Sequence, residues 1–461
     1  MGGRILSRLI AISNRVAKPS GGKSAGGLAV GILAALRQSG GIWFGWGGKT
    51  CQGEPGEPRL ERHGEITFAT IDIDESDFDG YYNGFCNGSL WPLFHYMLGI
   101  FEYEREYQAA YRRVNQTFVR KLRPLLREDD RIWVHDYHLI PLAEELRRAG
   151  IEQPIGFFLH VPFPSYDVLR TLPGHRELLR ALTQYDVVGF QTAQDCENFL
   201  AGLRAAGFGG DRALDGRIET MGRRVLVGAF PIGIDVEEAE DQAAASRQSA
   251  AVQRLAKDIG DRQLVMGVDR LDYSKGLPER FRAFETLLER HPASHRNLVF
   301  LQIASPTRTG VRAYQDIRHE LEQSAGHING RFSEPDWTPI RYINRGVSRK
   351  MLMGYFRVAR IGLVTPVRDG MNLVAKEYAA AQDPENPGVL VLSELAGAAA
   401  EFGASAILVN PYDAAGVADA ILKASEMPLA ERRERHATMM AILRGNDIHA
   451  WRKRFVDALG A

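Results

Sequence analysis

Short apolar runs alternate with helix-length amphipathic stretches along this chain, and they do so in two successive series. The first series of runs covers residues 9–13, 42–46, 66–73, 132–134, 155–161, 187–190 and 225–230. The second covers 264–268, 298–303, 340–343, 361–364, 389–392 and 407–409. Helical spacing fills residues 28–37, 107–126 and 139–149 between the first runs, and 277–289, 311–325, 414–425, 429–443 and 450–459 among and after the second. Continuous apolar strands separated by helices predict parallel sheets covered on both faces, because a parallel crossover needs a helix and buries the strand on two sides. The expected fold class is therefore α/β, with two doubly wound domains. Pro231-Ile232-Gly233-Ile234-Asp235 is the candidate boundary. Ligands of such folds sit outside the carboxyl ends of the strands, so the residues just after each run, facing the expected interdomain cleft, are the ones to weigh.

Composition narrows the function classes. The chain has 461 residues, 45% apolar and 25% charged, a profile of a globular enzyme rather than of a disordered chain. Lysine plus arginine and aspartate plus glutamate each number 57, and a nucleic-acid coat would need a basic surplus that this balance denies. Cys51, Cys86 and Cys196 are scattered without a C-x-x-C pair and read as free thiols. The opening residues lack the uninterrupted apolar core and cleavage site of a signal peptide, and no apolar stretch reaches a membrane span. A cytoplasmic protein without membrane or nucleic-acid partners is expected.

The most informative stretch is TPVRDGMNLVAKEY at 365–378. It follows the run 361–364, turns through Arg368-Asp369-Gly370 and enters a helical pattern. That strand–turn–helix shape points backbone N–H groups and the positive end of a helix dipole at an anion. Asp369 and Glu377 would stand about 12 Å apart along one helix, a spacing suited to two ends of one extended ligand. VDRLDYSKG at 268–276 adds Arg270 directly after a strand and Lys275 before the next helix. A planar fork and a point charge together suit a diphosphate. Arg15 closes the first strand, Gly26-Gly27 opens the first helix without the full G-x-G-x-x-G fingerprint, and Arg308 could meet a second anion.

Other constellations carry less. HDYH at 135–138 lacks a further ligand set for a metal, and Asp72 and Asp74 read as a strand end feeding an acidic loop. His160 ends an apolar run at the proposed cleft. Tyr81, Tyr82 and Trp91 are aromatic candidates for a sugar face, though core packing explains that segment equally well. No G-x-S-x-G or Cys/His arrangement indicates a covalent nucleophile.

Together SNR (13–15), SAGGLAVGIL (24–33), WFGW (43–46), YYNGF (81–85), WVHDYHL (133–139), GFFLHVPFP (156–164), RLDYSKGLPERF (270–281) and TPVRDGMNLVAKEY resemble the retaining glycosyltransferases of family 20, which make trehalose 6-phosphate. The resemblance runs nearly the whole chain. It implies a GT-B fold: an acceptor-binding domain over 1–233, a nucleotide-sugar domain over 234–445, and a last segment, 446–461, crossing back to the first domain. It implies transfer of glucose from UDP-glucose to glucose 6-phosphate by front-face attack, with no cofactor, metal or protein nucleophile. Gly26, Gly27, Arg270, Lys275, Asp369, Gly370, Met371, Asn372, Leu373, Val374 and Glu377 match the donor set, with Glu377 on the ribose and Asp369 on the transferred sugar. Arg270, Lys275, His160 and Asp369 match the groups nearest the chemistry. Arg15, Tyr82, Trp91, Asp136 and Arg308 match the acceptor set. Val347 stands where bacterial members place a Phe against the nucleotide, which leaves UDP, GDP and ADP open as the nucleotide. A homodimer or homotetramer also stays open.

Two other readings compete. The same fold and donor could serve another phosphorylated acceptor such as glycerol 3-phosphate, although Arg15, Tyr82 and Trp91 favour a hexose phosphate. A silent sugar-phosphate sensor should have lost its donor-site charges, and all four are present.

Overall fold

The computed structural model describes residues 8–17, 27–308 and 312–460. Two units divide the chain, one formed by Met1–Ile232 with Ile448–Ala461 and the other by Gly233–Asp447. Each is α/β and doubly wound, the class that the two series of apolar runs require.

Nine strands in the first unit form one sheet: β1 (Leu9–Arg15), β2 (Gly41–Cys51), β3 (Arg59–His63), β4 (Ile66–Asp74), β5 (Arg131–His135), β6 (Ile155–Phe158), β7 (Val187–Phe190), β8 (Arg217–Thr220) and β9 (Arg223–Ala229). Their spatial order is β3-β4-β2-β1-β5-β6-β7-β9-β8. The interior is parallel, with β1 between β2 and β5. Both edges are antiparallel hairpins, β3 against β4 and β8 against β9, where wholly parallel sheets were expected. The side chains of β3 are all exposed, so no apolar pattern marks it. A charged edge strand of this kind resists pairing with another chain. The aromatic segment after β4 winds as a π-helix over Asp79–Leu90 and packs on the helix Arg105–Leu122.

The helix Ile448–Leu459 belongs to this first unit and not to the unit that precedes it in sequence. Trp451 and Phe455 lie 5.0 and 4.7 Å from the Trp133 ring on β5, and Phe455 lies 5.1 Å from Phe230. The helix therefore closes one face of the sheet with two of its largest buried side chains.

In the second unit β10 (Gln263–Arg270), β11 (Leu298–Ser305), β12 (Ile340–Ile343), β13 (Ile361–Val364), β14 (Val389–Ser393) and β15 (Ile407–Val409) make an all-parallel sheet, in the order β12-β11-β10-β13-β14-β15. The order reverses direction at β10 and β13, the switch point where ligands of such sheets bind. The loops after both strands carry the residues singled out above. The helix expected from residue 311 is described from Arg312 and runs to Phe332. Among the described residues, no helix is long and apolar enough to cross a membrane. The three cysteines are free.

Candidate functional site

In the second unit the site is built from two turns at adjacent strand ends. β10 ends at Arg270, whose side chain is half-exposed and lies 3.8 Å from Asp272. Asp272 is fully buried and accepts hydrogen bonds from both the amide and the hydroxyl of Ser274 at 3.0 Å, which winds the tight turn Tyr273–Lys275. It also accepts from Arg308 at 3.3 Å. The turn aims Lys275, nearly buried, at the second turn, where its ammonium donates to Asp369 Oδ2 at 2.5 Å.

Asp369 lies in the turn after β13 and accepts a second bond from Asn372 Nδ2 at 3.0 Å. Asn372 adopts a left-handed backbone, φ 78°, and its Oδ1 accepts from the Ala375 amide at 3.2 Å, capping the helix Leu373–Ala381. The first turn of that helix holds no acidic residue, so its dipole stays available to an anion. Gly370 and Met371 are buried in the turn, while Leu373 and Val374 are half-buried.

Farther along the same helix, Arg349 Nε donates to Glu377 Oε1 at 3.2 Å. Burial pushes the Glu377 carboxyl above its ordinary value, and the Arg349 charge opposes that rise. Arg349 also donates to Glu238 at 2.6 Å, so it is anchored from both sides. Val347 is half-buried just ahead of the helix Arg349–Val358.

The first unit gathers a different set. Arg15 ends β1 with its guanidinium 5.4 Å from the centroid of the Trp46 ring. A string of rings continues from there: Trp46 to Phe78 at 5.2 Å, Phe78 stacked on Tyr82 at 5.4 Å, Tyr82 stacked on His138 at 6.1 Å, and His138 on Tyr137 at 4.0 Å. Trp91 joins at Tyr137, 5.8 Å away, but is buried and also lies against His95. Tyr81 points inward, fully buried, and donates to Asn14 Oδ1 at 2.7 Å, so of the tyrosine pair only Tyr82 keeps an exposed face.

Asp136, at φ 76°, follows β5 and accepts from the His160 amide at 3.3 Å. The His160 ring meets the His135 ring, Nε2 to Nδ1, at 3.2 Å. Burial pushes His160 down to about 3, and it lowers His135 as well. Both rings are thus neutral near pH 7, one donating to the other. Asp72 and Asp74 are spent locally: Asp72 accepts both bonds of the Arg59 guanidinium, and Asp74 caps the Ser76 amide at 3.0 Å.

The structure thus brings Arg270, Lys275, Asp369 and Asn372 into one contiguous network, to which Asp272 ties Arg308. It brings Arg15, Tyr82, Trp91, Asp136 and His160 together in the other unit. Gly27 begins the helix Gly27–Ser39, and Gly26 lies outside the described residues. Among the described residues six that are not glycine have positive φ, and three of these, Asp136, Arg308 and Asn372, are in this set. Asp and Asn tolerate this conformation, so of the three only Arg308 carries a clear backbone cost. Sequence reasoning passed over Asp272, Arg349 and Arg280. An Asp two residues before a Ser is the signature of the turn that Asp272 forms. Arg280 could have been found as the one charge on the apolar face made by Leu277, Phe281 and Phe284.

The profile of Glycosyltransferase family 20 matches residues 11–461. A trehalose-6-phosphate synthase of Klebsiella pneumoniae is 50% identical over 455 residues, covering 98% of this chain and 95% of that protein. A crystal structure of a UDP-forming α,α-trehalose-phosphate synthase from Burkholderia xenovorans, in complex with glucose-6-phosphate, is 51% identical with a TM-score of 0.95, covering 98% of this chain and all of that one. A structure from E. coli bound with UDP-2-fluoro glucose is 48% identical with a TM-score of 0.94, covering 98% and 99%. The shared sheets, the motifs at their strand ends and this likeness along the whole length have one reading: the chain belongs to glycosyltransferase family 20.

Proposed function

We propose that this chain transfers glucose from UDP-glucose to glucose 6-phosphate, with retention at the anomeric carbon, giving α,α-trehalose 6-phosphate. The observation that carries the reading is the 2.5 Å contact between Lys275 and Asp369. It sets a cation fit for a departing phosphate beside a carboxylate fit for the hydroxyls of the sugar being transferred. The relatives support it, since one was solved with glucose-6-phosphate and another with a fluorinated UDP-glucose.

In this reading Arg270 and Lys275 hold the diphosphate and take up the charge that grows as the bond from the anomeric carbon to its phosphate oxygen breaks. The helix Leu373–Ala381 adds its N-terminal amides, and Glu377, steadied by Arg349, accepts from the ribose hydroxyls. The acceptor is assigned to Arg15, Tyr82, Trp91, Asp136 and Arg308, the two arginines serving its phosphate. The acceptor's anomeric hydroxyl attacks from the side the diphosphate leaves. Its proton passes to the departing phosphate oxygen, so the new glycosidic bond keeps the α configuration. Neutral His160 offers a hydrogen bond to the donor sugar rather than a charge. Residues 1–233 thus serve mainly the acceptor and 234–445 mainly the nucleotide sugar, with Arg308 on the acceptor and Gly26, Gly27 and His160 on the donor as the exceptions.

The test is to incubate the purified chain with UDP-glucose and either glucose 6-phosphate or glycerol 3-phosphate and identify the product. A disaccharide phosphate whose one glycosidic bond is α at both anomeric carbons is expected only from the first pair. Product from glycerol 3-phosphate alone would reassign the acceptor, and no product with bound UDP would turn the reading to a sensor.

A further inference from the structure

Arg280 lies on the helix Leu277–Arg290, and its guanidinium is fully buried although it touches neither Arg270 nor Asp369. It spends its donors on four different pieces of backbone framework. Nη1 donates to Asp269 Oδ2 at 2.7 Å on β10 and to Gln302 Oε1 at 2.8 Å on β11. Nε donates to Thr365 Oγ1 at 3.1 Å, the first residue after β13, and Nη2 donates to the carbonyl of Lys275 at 3.3 Å. We propose that Arg280 is a positioning residue for the donor half of the reaction, fixing the backbone of Lys275 against the β13 turn that carries Asp369.

Four further observations support this. The fork sits on a helix face otherwise apolar, where an aliphatic side chain would fill the space without the cost of burying a charge. A buried ion pair such as Arg280–Asp269 is a weak stabilising device, so its use here fits a need for defined geometry. Opposite the fork, a Cβ on Gly267 would stand 2.6 Å from Arg280 Nη1 and 2.3 Å from Gln302 Oε1, so β10 leaves its side-chain space to the network. Burial raises the Asp269 carboxyl while Arg280 and then Lys275 pull it back, which ties that carboxyl to the Lys275 charge as well. Lysine could supply the charge but not the planar fork that reaches four acceptors at once.

The proposal rests on the reading that Lys275 and Asp369 hold the nucleotide sugar, and the experiment separates the two. UDP binding is first measured on the parent chain by calorimetry; a parent that binds no UDP overturns the reading and the proposal with it, before any substitution is made. Arg280→Lys and Thr365→Val are then compared with the parent for thermal unfolding, UDP affinity, and the KM of each substrate. Arg280→Lys is expected to raise the UDP dissociation constant and the UDP-glucose KM about tenfold, the scale of lost charge-assisted bonds, with the glucose 6-phosphate KM within about twofold. Thr365→Val, which removes one acceptor only, should move the same two constants in the same direction by less. A folded Arg280→Lys that binds UDP as the parent does would overturn the proposal, as would equal rises in both KM values. If Arg280→Lys fails to fold, Thr365→Val decides: parental UDP affinity in that variant overturns the proposal, and a selective rise sustains it.

Discussion

In the proposed reading the two units handle polar ligands by opposite means. The second relies on charge: Arg270, Lys275 and Asp369 stand in the loops after β10 and β13 and Glu377 on the helix that follows, with Asp272, Asn372 and Arg349 as their partners. The first relies on surfaces: a cation on an indole, a run of stacked rings and two histidines stripped of charge. The difference teaches that a diphosphate leaving group and a sugar face make separate demands. The first needs preorganised charge that strengthens as the bond breaks, and the second needs flat apolar area with a few directed hydrogen bonds.

That contrast fails or sharpens in measurable ways. Lys275→Ala should lower kcat by about 10²–10³-fold, the scale seen when one charge-stabilising donor is removed, with a smaller change in the glucose 6-phosphate KM. A loss confined to KM would mean that Lys275 binds the donor equally in ground and transition states, and the charge argument for the second unit would fall.

Acid tests the neutral histidines of the first unit. A ring held neutral in the fold gains its proton only on unfolding, so the stability it contributes is whole above the unfolded value of about 6.5 and is lost as pH falls from there towards the folded value, about 3 for His160. Each such ring changes stability by about 1.4 kcal/mol per pH unit within that window. Urea unfolding should therefore show a lower midpoint at pH 5 than at pH 7, with a smaller drop in His160→Gln. An unchanged difference in that variant would place the acid sensitivity elsewhere.

Tyr82→Ala should raise the glucose 6-phosphate KM about tenfold, the equivalent of one aromatic face, and leave the UDP-glucose KM near the parent value. The smallest effect is expected from Val347→Phe, a gain of a few-fold in nucleotide affinity from added ring area. If Tyr82→Ala moved the donor constant instead, the division of labour between the units would be wrong.

Much of this was legible in the sequence, for a definable reason. β1, β10, β11, β13 and β14 are buried on both faces, so each appears as a nearly continuous apolar run, and the loops after all of them but β14 carry candidate site residues. Strand β3 was hidden because Arg59, Glu61, Arg62 and His63 give it no buried face, and it is held by the backbone ladder with β4 and the exposed Arg59–Asp72 ion pair rather than by apolar packing. The π-helical segment Asp79–Leu90 left no helical periodicity to read, only a cluster of aromatic residues. At the site, Arg270, Lys275 and Asp369 announced themselves by position. Arg349 did not, because its partners Glu238 and Glu377 lie far along the chain, and the local signals of Asp272 and Arg280 say nothing of their links to the distant Arg308 and Thr365.

The helix Ile448–Leu459 has a consequence for how the molecule is made. Its Trp451 and Phe455 complete a sheet whose strands all lie before residue 230, with the whole second unit in between. On the ribosome, residues 233–447 emerge as an uninterrupted stretch that carries every strand of its own sheet. The strands synthesised first must wait, with the Trp133 and Phe158 side of their sheet uncovered, until the last helix has been translated. The first unit is thus completed only after the second has been made, and that interval is when chaperone binding or a truncated message would matter most.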